Sequence, residues 1–287
     1  MNRADSRAAG AAKTIYLPRE HGATAMVITP IVCAAILART WRWAELATLA
    51  AAFAALAAKD PLVVLVRQRF VWKQPHAETP IAARWFAGWT LVLALSGLAL
   101  LRVWPLEAVF SMGAGVAAFS LMAIWVNVRN KQRSTLFQIA SAAALTSSSL
   151  ATSLSTAGSV REWCWWLWAL LAMQAAAGIL VVHARLDARI ALRGKAPANF
   201  EYRRAAFVAV AVLAGGSITM LILRRWWLAL ALALAAAGYG YDLRRQENAD
   251  ELQRPLISVG RRALALSTVY ALLLIAGILQ LDAAGHL

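Results

Sequence analysis

Charge is scarce in this 287-residue chain, and acid is the scarcer sign: 14 Asp and Glu stand against 29 Lys and Arg, and 15% of residues are charged in all. A soluble domain carries about a quarter. Cysteine is nearly absent. Cys33 and Cys164 lie in or beside apolar runs and form no C-x-x-C pair, which leaves no basis for a disulfide framework or a zinc site. The first fifteen residues are polar and alanine-rich. They hold no apolar core before a cleavage site, so no signal peptide is expected and the first apolar run should stay in the mature protein. Heptads, low-complexity linkers and a convincing internal repeat are missing as well.

What is present is apolar surface. Hydrophobic residues make up 61% of the chain, the composition of an integral membrane protein with short loops. The net charge of +15 does not read as a nucleic-acid binder. Its basic residues fall in short clusters between apolar runs, without a nucleic-acid motif, and no nucleic-acid partner is expected. Crossing the hydrocarbon core takes about 20 helical residues. Nine such runs are expected, at 22–38, 44–66, 83–101, 105–126, 136–156, 163–183, 205–223, 226–241 and 263–281. The fold class is an all-α bundle of about nine transmembrane helices. A disordered tail is expected over residues 1–15 and a single transmembrane domain over 16–287.

Lysine and arginine orient the bundle. The tail and every second connection hold 22 of them, the other connections 6, and Lys59 lies inside a span. The alternation agrees with nine crossings. The positive-inside rule then puts the N-terminus in the cytoplasm and the C-terminus outside, in a bacterial cytoplasmic (inner) membrane. Trp41, Trp43, Trp104, Trp163, Trp165, Trp166, Trp168, Trp226 and Trp227 cluster at the outer ends, where amphipathic indoles favour the headgroup layer.

Ionisable groups inside apolar runs are the candidates for chemistry, because burying a charge in hydrocarbon costs several kcal/mol unless it is paired or reaches water. Lys59 and Asp60 sit in the second span about two turns before its cytoplasmic end. They point about 100° apart on a helix, so partners on other helices are expected, and Pro61 is expected to kink or break the helix there. Arg185, Arg189 and Arg193 recur every four residues and share a face, a pattern suited to clamping phosphate oxygens or attracting anionic headgroups. His183 and Asp187 share another. Asn127, Arg129 and Asp242 lie where spans become cytoplasmic loops, and Arg67 where the second span ends. Arg19, Glu20 and His21 stand at the head of the first span, where His21 can move a proton near neutral pH. These groups are expected to ring one cytoplasm-facing cavity. The fifth span, rich in Ala, Ser and Thr, is expected to be an interior helix.

Pro18-Arg19-Glu20-His21-Gly22-Ala23, followed by Ala25-Met26, resembles the amino-terminal signature of the YwiC-like family of bacterial membrane proteins. Thr24 stands where that family usually has tryptophan, and the Asp60-Pro61-Leu62 stretch also suits it. The family's molecular function is not established. A more distant architectural likeness is to UbiA-type prenyltransferases, in which aspartate-rich motifs after the second and sixth spans hold magnesium and a prenyl diphosphate. Here Val64, Ala191 and Gln246 stand four residues after Asp60, Asp187 and Asp242. No D-x-x-x-D pair exists, so magnesium is poorly supported, no metal ligands are assigned and the cofactor is left open.

The resulting expectation is binding or transfer of a phosphorylated lipid or isoprenoid. In that role Glu20, His21, Asp60 and Asp187 are the catalytic candidates. Arg19, Lys59, Arg67, Asn127, Arg129, His183, Arg185, Arg189, Arg193 and Asp242 are the substrate-binding ones. The expected partners are membrane lipids, through anionic headgroups or lipid phosphate. The competing readings are a small-molecule transporter using Lys59, Asp60 and the hydroxyls of the fifth span, and a non-catalytic membrane subunit or assembly factor. The oligomeric state is not legible.

Overall fold

A computed structural model describes residues 21–129, 131, 134–194 and 200–283. Among them the chain is all-helical, without a strand. Its helices are α1 (His21–Ala38), α2 (Trp43–Val66), α3 (Thr79–Leu100), α4 (Leu106–Val128), α5 (Thr135–Thr146), α6 (Ser148–Ala157), α7 (Glu162–Leu192), α8 (Phe200–Ile222), α9 (Trp226–Arg245), α10 (Ala249–Gln253) and α11 (Leu256–Ala283). Six stretches are long and apolar enough to cross a membrane: Trp43–Trp72, Thr79–Leu100, Leu106–Val128, Glu162–Leu192, Phe200–Ile222 and Ile257–Asp282. A shorter apolar helix runs from Gly22 to Ala38. The chain is a multi-pass membrane protein.

Local sequence explains where the helices start and stop. Pro80 occupies the first turn of α3, where its missing N–H would have had no partner anyway. Ser134 caps α5 by accepting from the Phe137 N–H, and Asn248 caps α10 by accepting from that of Asp250. Gly158 closes α6 in the left-handed region, at φ 70, with its N–H on the Leu154 carbonyl. Two expectations need correction. Pro61 does not break α2. The helix runs unbroken through it to Val66 and continues as a π-helical turn, Arg67–Trp72, because neighbouring helices tolerate an internal proline in lipid. The fifth span is not one helix but two, α5 and α6, meeting at Ser147.

Bonds between distant parts of the chain sort the helix ends into two groups. At one end, Arg67 after α2 bonds the Asn127 carbonyl in α4, Gln138 in α5 meets His183 in α7, and Arg203 in α8 meets Glu247 beyond α9. At the other, Trp104 before α4 bonds Ser155 in α6, which meets Thr48 in α2. The first is the arginine-rich end and the second the tryptophan-rich end.

The core lies where α7, α9 and α11 meet, with α8 outside them. α1 packs on α6 and on α11. Leu167, Leu213, Leu232, Tyr270, Leu274 and Ile278 are buried here. Between helices in lipid the attraction comes from close packing and hydrogen bonds rather than from expelling water, and small residues allow it: Ala34, Ala35, Ala54, Ala231 and Ala235 are fully buried. α6 is interior as expected, with Ser148, Ser149, Thr152, Ser153 and Ser155 all buried. Their hydroxyls turn onto backbone carbonyls, mostly of α5 and α6, and Ser148 reaches the Val27 carbonyl of α1 at 3.0 Å. α3, α4 and α8 instead present large apolar side chains outward, among them Leu95, Leu98, Phe110, Leu121, Val208 and Ile218.

Candidate functional site

The charged groups picked out in the sequence gather at the arginine-rich end, where the described contacts place them in three separate groups. The first belongs to α2 and α4. Lys59 Nζ stands 3.9 Å from Asp60 Oδ1, both half-buried. The neighbours thus turn toward one another despite their angular separation on the helix. One to two turns on, Arg67 Nη2 donates to the Asn127 carbonyl at 2.5 Å, and Asn127 Nδ2 donates to the Ala123 carbonyl at 2.9 Å. Arg129 lays its guanidinium over the Trp125 ring, 4.3 Å from its centroid.

The second group joins α5, α7 and α8. His183 Nε2 lies 2.9 Å from Gln138 Oε1, and its ring stacks on Tyr202 with centroids 5.5 Å apart. Asp187 follows one turn later, half-buried. Arg19, Glu20 and the side chain of His21 lie outside the described residues.

The third group is the densest. α7 has 31 residues, a length of about 46 Å against a hydrocarbon core of about 30 Å. Arg185 comes about 35 Å along it, at the arginine-rich boundary. It is 1% exposed. Its Nη2 donates to the Glu251 carbonyl of α10, while Nε and Nη1 have no hydrogen-bond partner. Arg262 of α11, Asp242 of α9, Arg189 and Glu251 all lie within electrostatic reach. Arg262 Nη2 stands 3.4 Å from Asp242 Oδ1 without forming a hydrogen bond, and its Nε is unpartnered too. Glu251 is held by Arg245 Nη2 and by Arg254 Nε, the latter at 2.9 Å. The Arg245 hydrogen bond, reinforced by the nearby guanidiniums, holds the Glu251 carboxyl below the ordinary glutamate range. Glu251 Oε2 is unpartnered.

Of the three arginines that share a face, then, only Arg185 is buried. Arg189 is half-buried and Arg193, the residue just past α7, is exposed. Among the described residues, no three of His, Cys, Asp and Glu come together as metal ligands.

Several polar residues of the interior carry no sequence signal of their own. Gln174 Nε2 donates to Tyr239 Oη at 2.6 Å and to Ser267 Oγ at 2.9 Å, tying α7, α9 and α11 together in mid-bundle. Tyr239 Oη returns a bond to the Gln174 carbonyl at 3.2 Å, and Tyr270 Oη donates to the Leu170 carbonyl at 3.0 Å. Glu45, at the tryptophan-rich end, is 1% exposed. Its Oε1 accepts from Thr40 at 3.3 Å and its Oε2 has no partner. A surface groove at that end is lined by Trp43, Leu98, Ala99 and Arg102. It is remote from the charged groups, because α2 separates the two ends by about 36 Å. Glu251 and Arg262 were hidden in the sequence by the company of many charged loop residues. An acid flanked by arginines between two long apolar runs was the one signal available.

Residues 17–153 match the YwiC-like protein family, which bears out the resemblance carried by Pro18 to Ala23. The match runs from just before α1 into α6 and stops ahead of α7, so the Arg185 group lies beyond it. No curated protein matches the chain, and no solved structure does. The likeness to UbiA-type enzymes gains no support from these comparisons.

Proposed function

We propose, from a chain whose residues 17–153 carry the YwiC-like pattern, a nine-crossing protein of the bacterial cytoplasmic membrane that binds an anionic amphiphile at its cytoplasmic face. The transmembrane domain begins at residue 16, with the N-terminus inside and the C-terminus outside. To the six long apolar helices this reading adds α1, the α5–α6 pair and α9. It is supported by the sorting of helix ends into an arginine-rich and a tryptophan-rich side, the distribution that orients membrane proteins.

The observation that carries the binding role is Arg185. A guanidinium 1% exposed, with two nitrogens unpartnered, is expensive to keep at a membrane boundary, and intramembrane ionisable groups of this kind mark ligand sites. Arg189 and Asp242 lie within electrostatic reach of it, and His183 of the neighbouring group completes the binding face on this reading. Lys59–Asp60 and Arg67–Asn127 form a second polar patch toward α4, and Glu20 and His21 precede α1 and open it in the sequence. Transfer chemistry would fall to Glu20, His21, Asp60 and Asp187.

Native mass spectrometry of protein extracted in mild detergent tests the reading. A co-purifying anionic lipid or isoprenoid phosphate is expected on the native chain and should be lost from Arg185→Gln of matching monodispersity. A native chain that carries no anionic species, or a variant that keeps the same one, would overturn it. A purely structural subunit gives the first of those results.

A further inference from the structure

We infer that the anion held at the Arg185 group is a doubly charged phosphoryl group, bound directly by Arg185 and Arg262. The inference rests on the reading of the arginine-rich end as an anion site and adds the ligand's charge and its contacts. Four guanidiniums meet here, Arg185, Arg245, Arg254 and Arg262, and face two carboxylates, Asp242 and Glu251. Two positive charges are left over, with Arg189 adding another at the edge.

The four arginines are not equally engaged. Arg245 and Arg254 spend their contacts on Glu251. Arg185 keeps Nε and Nη1 free of hydrogen bonds, as Arg262 does Nε and Nη2, although Nη2 also pairs with Asp242 Oδ1 at 3.4 Å. On Arg262 those two nitrogens form one edge of the planar fork, the edge that grips two oxygens of a phosphate at once. A monoanion would leave part of the surplus charge uncompensated, and a zwitterionic headgroup would bring a further cation. A phosphate monoester, or the terminal phosphate of a diphosphate, supplies close to two negative charges at neutral pH and three acceptor oxygens.

The Arg262 and Arg254 side chains are 33% and 57% exposed, whereas the unpartnered nitrogens of Arg262 and Arg185 are themselves buried. α10 borders the site through the Glu251 carbonyl on Arg185. Glu251 Oε2, an unpartnered acceptor in the same group, opposes an incoming phosphate. Removing its charge should therefore tighten binding. Water bridging these donors and Oε2 is the competing occupant.

Thermal stability of the full chain in a neutral detergent, at matched ionic strength, reads binding directly. Inorganic phosphate at pH 8 should raise the melting temperature and acetate should not. Lowering the pH to 5, where phosphate becomes a monoanion, should abolish the phosphate effect and spare that of sulfate. Arg262→Gln should weaken phosphate about tenfold to a hundredfold, the worth of one or two charge-assisted bonds, and Glu251→Gln should strengthen it. Arg262→Gln keeps the test open even if Arg185→Gln does not fold. Dihexanoyl phosphatidate set against inorganic phosphate separates the sources: tighter binding of the lipid points to an amphiphile, equal binding to free phosphate, and either supports the inference. Acetate matching phosphate would sink the dianion while leaving an anion site standing. Phosphate, sulfate and phosphatidate all without effect would sink both and leave the group to water.

Discussion

Gly178 of α7 faces Tyr239 of α9 at a distance that leaves no room for a methyl group. A Cβ placed there would lie 2.8 Å from Tyr239 Oη and 3.3 Å from Cζ, closer than carbon tolerates. Tyr239 cannot simply step aside. It is 4% exposed, and its hydroxyl is fixed between the Gln174 amide and carbonyl. Gly178→Ala must either push α7 and α9 apart or turn the ring and break those bonds. Overpacking of this kind costs ~1–3 kcal/mol, and a lost intramembrane hydrogen bond adds ~1 kcal/mol. The better helix propensity of alanine returns ~1 kcal/mol. The net is a destabilisation of about 2 kcal/mol, or about 3 °C in melting temperature for a domain of this size.

Cys33 and Cys164 report the transition without added labels. Both are free and buried, and they meet a thiol-reactive dye only as the bundle opens. Tyr239→Phe removes the oxygen that collides. In that background Gly178→Ala should be neutral or stabilising, so the two substitutions couple with a sign opposite to simple addition. If Gly178→Ala is as stable as the native chain, or as harmful in the Tyr239→Phe background as in the native one, the proposed contact is not what holds α7 against α9.

Three further outcomes are expected. Glu251 has its carboxyl pKa lowered from the ordinary 4.5, so the stability it lends is complete above that value and is lost as the pH falls through the lower, folded-state pKa. Glu251→Gln should remove this part of the acid limb of a melting-temperature profile, and an unchanged limb would refute the ion pairs with Arg245 and Arg254. Ser155→Ala at the tryptophan-rich end deprives both Trp104 Nε1 and Thr48 of a partner. It should cost ~1–3 kcal/mol, read by the same dye assay, whereas Ser111→Ala on exposed α4 should cost nothing measurable. Arg67→Met should speed hydrogen exchange at the end of α4, where the Asn127 carbonyl loses its donor; equal protection would show that the bond does not hold that end.

The positions of the helices were largely legible because most of the apolar runs approach the length that hydrocarbon demands, and each predicted run overlies a helix or, in the fifth, a pair. The interior place of α6 was legible too, since small hydroxyl residues pack closely and bond to their own backbone. The break at Ser147 was not, because it depends on what lies beside the helix: Ser148 bonded to α1, and Trp168 bonded to the Ala143 carbonyl. Lys59 and Asp60 were found as charges in an apolar run, but their mutual approach could not be read from helical angles alone, since long side chains bend across them. Arg185 was picked out by spacing, and Asp242 by its position at a span end. That they share a neighbourhood with Glu251 and Arg262 is a fact about distances between α7, α9, α10 and α11, which no pattern along one helix encodes.

α1 rests its face on α6 and on α11, a helix distant from it in sequence. During synthesis, then, α1 is made well over two hundred residues before α11, one of the helices it packs on. Until α11 arrives, that part of the packing of α1 is missing. α1 and α11 must find each other late, and a chain cut before α11 would leave an open seam for quality control to recognise.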